Sequence, residues 1–274
     1  MPLLALLLAL GAACLHALWN LLLARSSDTH AATAVAMCAS VVVFAPIAVA
    51  TFDADVRALP WLAASSVLVL AYFAGLASAY RRADLSFIYP LARGGAPVIV
   101  LGVSGPLLAV PVSAGQILGI GLVATGIAMV RGIRSHGSAG DTLLALAIAG
   151  CIAGYTLVDK VGIRYASPLT YMELVMLLPT AAYLGVAGAS RGVAALRAQV
   201  RPDVVIAGIA MFLAYTLVLA ALSIAPAAPV AAVRETSVVM ATAMAAIVLH
   251  ERVRRSRSLG AIAVALGVAL ISAW

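Results

Sequence analysis

Charge is what this sequence has least of. Only 10% of its 274 residues are Asp, Glu, Lys or Arg, where a soluble domain carries roughly a quarter. With 65% apolar residues and a mean hydropathy of +1.14, a soluble core is excluded and an all-α integral membrane protein is expected, with the lipid bilayer as its first partner. Cysteine is scarce as well. Cys14, Cys38 and Cys151 are odd in number, lie inside apolar runs and show no ligand spacing, which argues against a disulfide framework or a thiolate metal site. There is no GxSxG, no phosphate loop and no acidic pair placed for acid–base work, so neither an enzyme nor a cofactor is expected. The net charge of +7 would suggest nucleic acid in a soluble chain. Here the basic residues sit in short loops, where they set membrane orientation instead, and no nucleic-acid partner is expected.

What is present is a succession of long apolar runs. Ten can be drawn, at roughly 3–23, 30–51, 60–80, 87–109, 115–131, 141–159, 168–188, 203–224, 228–249 and 258–273. They are too long and too continuously apolar for barrel strands, so ten transmembrane helices are expected. The first run has no basic residue before it and continues to Leu23, which suits a first span better than a cleaved signal. Charge is distributed unevenly over the connections. One side carries twelve basic residues: Arg25, Arg81, Arg82, Arg131, Arg134, Arg191, Arg197, Arg201, Arg252, Arg254, Arg255 and Arg257. The other carries three, Arg57, Lys160 and Arg164. The positive-inside rule puts the twelve in the cytoplasm and both termini outside.

The chain also repeats itself. Leu118–Ala128 (LGIGLVATGIA) aligns with Leu259–Ala269 (LGAIAVALGVA), with six identities in eleven positions and both glycines matched. Each stretch closes one half of the chain, which defines two five-helix repeats, 1–135 and 136–274. Five is odd, so the second repeat must be inserted upside down. Inverted repeats meeting near the midplane through broken helices are the architecture of many secondary transporters.

Few ionisable residues lie within the runs: His16, Arg93, Glu173, Arg234 and Glu235, with Asp159 and Lys160 at a helix end. Such residues mark functional sites by default. Arg93 sits among Pro90, Gly94, Gly95 and Pro97, a composition that predicts a broken fourth helix. Arg234 and Glu235 take the matching place in the ninth run, and a one-residue offset in the repeat alignment superposes Arg93 on Glu235. Two readings follow. The arginines offer a planar fork to a solute carboxylate or phosphate, or Arg93 and Glu235 form a structural ion pair between the halves. His16, Trp19 and Asn20 share one face of the first helix. His16 suits proton coupling or a plain interhelical hydrogen bond, and Trp19 equally suits the interfacial belt. Tyr72, Tyr89, Tyr155 and Tyr215 lie within runs, where they line a pocket or simply pack. Glu173, five residues into its run, reads as a vestibule residue, and Gly119 and Gly126 as close-packing positions.

These features resemble the drug/metabolite transporter superfamily, EamA type. The resemblance rests on two halves each ending in a Gly-rich helix and on Leu249-His250-Glu251-Arg252-Val253 before the last helix. That stretch is similar to the family's "GE-R" loop, with His250 replacing the glycine. The matching Val110-Pro111-Val112-Ser113 lacks Glu-Arg. His16-Ala17-Leu18-Trp19-Asn20 and Tyr89-Pro90-Leu91-Ala92-Arg93-Gly94 resemble one subgroup with little assigned function. The resemblance implies secondary transport without ATP, commonly export of amino acids or other metabolites, through a cavity built by both halves. It also implies a bacterial inner-membrane location. Related small multidrug exporters rely on a first-helix glutamate that this chain lacks, which leaves His16 or Glu235 for any proton. Several members keep their termini in the cytoplasm, opposite to the charge count here. The reading is a monomeric carrier of a small polar, anionic or zwitterionic metabolite, with a site of Arg93, Arg234, Glu235, His16, Trp19, Asn20, Tyr89, Tyr155 and Tyr215. The alternatives are a lipid-handling protein that uses the same arginines for a lipid phosphate, and a non-transporting membrane subunit.

Overall fold

The computed structural model describes residues 1–82, 85–108, 112–131, 138–240, 243 and 255–273. Apart from one isolated bridge between Ala54 and Ala166, regular structure among them is helical. In order the helices are α1 (Leu3–Ala24), α2 (Thr29–Ala50), α3 (Leu59–Arg82), α4 (Leu85–Leu108), α5 (Ala114–Arg131) and α6 (Ala139–Gly162). They continue as α7 (Pro168–Arg191), a short α8 (Val193–Ala198), α9 (Pro202–Ile224), α10 (Ala227–Arg234) and α11 (Arg255–Ala273). A 3-10 turn (Val56–Ala58) precedes α3. Among the described residues six helices are long and apolar enough to cross a membrane, and three shorter apolar helices lie at Leu91–Gly105, Ala114–Met129 and Ser258–Ile271.

Local chemistry sets the ends. Asp28 caps α2 by accepting from the His30 and Ala31 amides at 3.1 Å, and Ser138 with Asp141 closes a reciprocal capping box on α6. Pro168 and Pro202 open α7 and α9, where their missing donors cost nothing. Gly192 ends α7 at φ 82°, a conformation that side-chain-bearing residues avoid. Outside the spans, Asp55 accepts two bonds at 2.9 Å from the Arg57 guanidinium, which holds its carboxyl down at about 2.

One expectation fails at α4. The helix runs unbroken through Pro90, Gly94, Gly95 and Pro97. Each proline removes one rung of the hydrogen-bond ladder, and a 24-residue helix retains enough others to stay continuous. The glycines serve packing instead. A Cβ on Gly94 would lie 3.3 Å from the Ala124 carbonyl oxygen of α5, and one on Gly95 3.6 Å from the Ala149 methyl of α6. The matching run is broken, as expected: α10 stops at Arg234, Glu235 and Thr236 form a turn, and helix resumes over 237–240.

One close helix crossing is α5 on α11. A Cβ on Gly119 would meet the Gly267 carbonyl oxygen at 2.7 Å, and one on Gly126 the Gly260 carbonyl oxygen at 2.7 Å. Backbone meets backbone at both points, so neither partner can swing aside. Gly126→Ala is therefore expected to lower stability by about 1–3 kcal/mol through overpacking. Gly121→Ala, where a Cβ meets nothing within 4 Å, is expected to be neutral or to gain up to about 1 kcal/mol of helix propensity. Thermal unfolding of the two variants in detergent checks the contrast; equal midpoints would contradict it.

Candidate functional site

The break after α10 and the unbroken α4 bring three charged side chains together. Arg93 Nη1 donates to Glu235 Oε1 at 3.4 Å, and Arg234 Nη2 donates to the same oxygen at 3.3 Å. Arg93 and Arg234 are 4% and 3% exposed, and Glu235 is fully buried. Two guanidiniums thus share one carboxylate, and the Nε of Arg234 and Oε2 of Glu235 have no hydrogen-bond partner among the described residues. The interhelical ion pair of Arg93 with Glu235 exists, and Arg234 stands beside it on the same carboxylate oxygen. Arg234 also lies over the Tyr155 ring, 5.9 Å from its centroid, within cation–π range.

His16 completes the cluster from α1. Arg93 Nη2 approaches His16 Nε2 at 2.6 Å, and Trp19 Nε1 approaches His16 Nδ1 at 3.3 Å. A guanidinium has no acceptor, so at the Arg93 contact Nε2 is the lone-pair nitrogen of a neutral imidazole. Its ring proton is then on Nδ1, and the Trp19 approach at 3.3 Å is an edge contact rather than a second hydrogen bond. In this arrangement His16 accepts a hydrogen bond from Arg93. The shared fork of Arg93, reaching Glu235 and His16 together, ties α4 to α10 and α1 in one step.

The cluster borders a cavity lined by His16, Trp19, Arg93, Arg234, aromatic rings and three methionines, Met172, Met176 and Met211. Tyr183, Phe73, Tyr72, Tyr155 and Tyr215 follow one another edge to face, with centroid separations of 5.7, 5.1, 6.2 and 5.6 Å. This ladder of rings runs into a vestibule that shares Trp19, Tyr72, Phe73 and Arg93 with the cavity. The vestibule wall carries Asp28, His30 and Arg191, at the connections that carry most of the arginines.

Asp159 on α6 is fully buried and accepts from Tyr215 and, at 3.0 Å, from Tyr171. Its neighbour Lys160 donates to the Leu222 and Ala225 carbonyls at the C-terminal end of α9, where a cation is favoured.

Of the residues expected from sequence, His16, Trp19, Arg93, Tyr155, Tyr215 and Arg234 line the cavity, and Glu235 stands behind the arginines. Asn20 is displaced. Its amide donates to the His16 carbonyl at 2.7 Å, and it lines only the vestibule, because the i+4 position puts its short side chain against its own helix. Glu173 is 7% exposed, with Oε2 unpartnered among the described residues, and it lines neither of these two cavities. The Tyr89 side chain and the stretch Leu249–Val253 lie outside the described residues. Sequence reasoning missed Phe73, Tyr171 and the methionines as site residues, and left Asp159 as a helix-end charge. The i, i+4 spacing of Met172 and Met176 was the available signal.

A buried charge cluster at the end of an aromatic cavity, entered by a polar vestibule between apolar helices, is a transporter's arrangement. Residues 141–273 match the EamA-like transporter family. Residues 141–273 thus carry an EamA-like domain, a family of the drug/metabolite transporter superfamily, and with the apolar helices this supports a multi-pass membrane protein of transporter type. EamA proteins are transporters rather than enzymes. No curated protein matches the chain. Twenty-eight chains of solved structures do. One, a crystal structure without a descriptive name, is 16% identical over 98% of both chains at a TM-score of 0.78, which shows a shared fold.

Proposed function

We propose that the protein is a monomeric secondary carrier that exports a small organic anion or zwitterion across a bacterial inner membrane by alternating access. The observation that carries this reading is the second guanidinium: Arg93 and Arg234 share a single carboxylate oxygen at the edge of a cavity. Arg234 lines the cavity with an Nε donor that has no hydrogen-bond partner among the described residues, and a buried guanidinium donor of this kind suits an anion. The vestibule lies at the arginine-rich connections, the cytoplasmic side by the positive-inside rule, so this conformation is the loading state of an exporter with its termini outside. Any coupled proton is assigned to Glu235, because His16 accepts from Arg93.

Ten spans in two inverted halves, 1–135 and 136–274, supply the moving parts of this carrier. Helix packing supports them. Exchanging α1 with α6, α2 with α7, α3 with α9, α4 with α10 and α5 with α11 turns the packed pairs α1–α9, α2–α9 and α4–α6 into α6–α3, α7–α3 and α10–α1, which are packed as well. The pairs α2–α7, α4–α10 and α5–α11 map onto themselves. Gly119 meets Gly267 while Gly126 meets Gly260, so the equivalent helices α5 and α11 run antiparallel, as inversion requires.

The test is thermal stabilisation of the purified protein against carboxylates, phosphates, amino acids and anionic lipids, because a ligand of the folded state raises its melting temperature. Soluble anionic hits that also move into proteoliposomes are expected. Stabilisation by lipids alone would overturn the carrier reading.

A further inference from the structure

Resting on that carrier reading and its inverted halves, we propose that two loops, 51–58 and 163–167, form a clasp that closes one end of the carrier. When the clasp opens, the connections 25–28 and 192–201 close the other end in the same way. The clasp is built mainly from backbone. Ala54 and Ala166 form an antiparallel bridge. The Asp55 amide donates to the Tyr165 carbonyl at 2.7 Å and the Ser167 amide to the Asp53 carbonyl at 2.9 Å, the wide pattern that sets Ala54 and Ala166 face to face. The Asp53 amide adds a bond to Thr170 Oγ1 at 3.3 Å, and the Arg57 guanidinium lies over the Tyr165 ring, 5.1 Å from its centroid. Backbone bonds cannot be released by a rotamer change, so these part only when the loops separate as bodies.

The helix exchange that relates the two halves carries the α2–α3 connection onto the α7–α9 connection, and the α6–α7 connection onto the α1–α2 connection. The matched loops share a form. A 3-10 turn precedes α3 as the short α8 precedes α9, and Ser167 and Asp28 hold the N-cap positions of α7 and α2. The state of the two ends differs. Among the described residues no backbone bond joins 25–28 to 192–201. Gln199 Nε2 donates to Ser27 Oγ at 3.4 Å, and beside it Arg191 Nε lies 3.6 Å from Asp28 Oδ2 with side chains 46% and 25% exposed. An ion pair this exposed contributes little. Ser26 Oγ and Gln199 Oε1 are buried and have no partner among the described residues, so this end has bonding capacity left to use. It is also the open end, since Ser27, Asp28 and Arg191 line the vestibule.

One mechanical link makes the two ends alternate. α2 and α7 pack on each other, and each spans from one end to the other. The clasp joins residues just past the end of α2 to those just before α7, while the second set joins the start of α2 to the end of α7. A tilt of these helices about their crossing therefore draws one set together as it parts the other, the rocking expected of inverted repeats.

Trp19 reports the result, because it lines both the cavity and the vestibule. Trp61→Phe and Trp274→Phe leave it as the sole tryptophan, and acrylamide quenching in detergent reads its access to solvent. Ser167→Pro removes one clasp donor at a φ of −65° that proline shares, and Thr170→Val removes the acceptor of the Asp53 amide. Two lost bonds shift the balance between conformations by about 10- to 100-fold. The double variant is expected to lower quenching of Trp19 by about threefold or more, as the vestibule closes. Ala54→Cys with Ala166→Cys is expected to form a disulfide on mild oxidation, since facing residues of this kind lie about 4.5 Å apart at Cα. Added to the double variant, the oxidised pair is expected to restore full quenching, and reduction to abolish it again. That rescue separates an opened clasp from a misfolded chain. Unchanged or increased quenching in the double variant, a fall that the disulfide does not reverse, or failure of the disulfide to form would each overturn the proposal. Quenching needs no solute, so the carrier is tested apart from it: the expected pattern with no flux of the anion panel would sink the carrier alone, and flux that persists in the fully cross-linked protein would sink the clasp alone.

Discussion

Glu235→Ala is expected to destabilise the fold by about 3–5 kcal/mol, the cost of leaving a buried charge without its partner. The size of the effect follows from geometry. Glu235 Oε1 lies 3.4 Å from Arg93 Nη1 and 3.3 Å from Arg234 Nη2, and the residue has no solvent exposure. Removing the carboxylate sets two guanidiniums against each other in the middle of α1, α4 and α10. Glu235→Gln keeps the shape and one acceptor but not the charge, so an intermediate loss is expected. Unfolding midpoints in detergent give the comparison. An alanine variant as stable as the wild type would mean that water already neutralises the arginines and that the pair does not hold the halves together. If the destabilisation is electrostatic, a bound monoanion should restore part of the lost midpoint in Glu235→Ala, and an uncharged analogue should not.

The helices were far more legible in the sequence than the site was. Among the described residues, nine of the ten apolar runs are single helices with ends within three residues of those drawn. In a bilayer the signal is strong, because every unsatisfied backbone group is costly and length is fixed by membrane thickness. The meeting of Arg93 with Glu235 was also legible, since repeat alignment superposes two positions 142 residues apart. What could not be read was the consequence of proline and glycine. The same signal that predicts a break in α4 is absorbed there by a continuous helix, while α10 breaks at Glu235. Composition states that the ladder is weakened; neighbours decide whether it parts. Gly94 and Gly95 have close neighbours on α5 and α6, and that packing is a tertiary fact. Asp159 shows the same limit. In sequence it is an acid at a helix end, and only the fold reveals two tyrosines, from α7 and α9, donating to it.

Arg234→Ala is expected to reduce solute binding and flux by about 100-fold or more while leaving the unfolding midpoint close to that of the wild type. The first half follows from the loss of a desolvated charge facing an anionic ligand, which typically costs 2–5 kcal/mol. The second follows from the arithmetic of the cluster. Without Arg234, Glu235 keeps its bond to Arg93, so the remaining pair is balanced and no buried charge is stranded. The truncated side chain borders an existing cavity, where water can fill the space. Arg93→Ala differs because Arg93 also donates to His16 Nε2 at 2.6 Å. It likewise removes a guanidinium that lines the cavity and also unties α1 from α4. Equal flux losses with a lower midpoint for Arg93→Ala are therefore expected, measured by counterflow in proteoliposomes and by melting in detergent. Flux retained in Arg234→Ala would show that the second guanidinium merely buffers Glu235, and the anion would then have to be bound by Arg93 alone. A collapse of both variants to unfolded protein would assign the whole cluster to structure. The separation of binding from folding at Arg234, and their entanglement at Arg93, is the behaviour expected when one carboxylate serves two arginines and only one of them is needed to balance it.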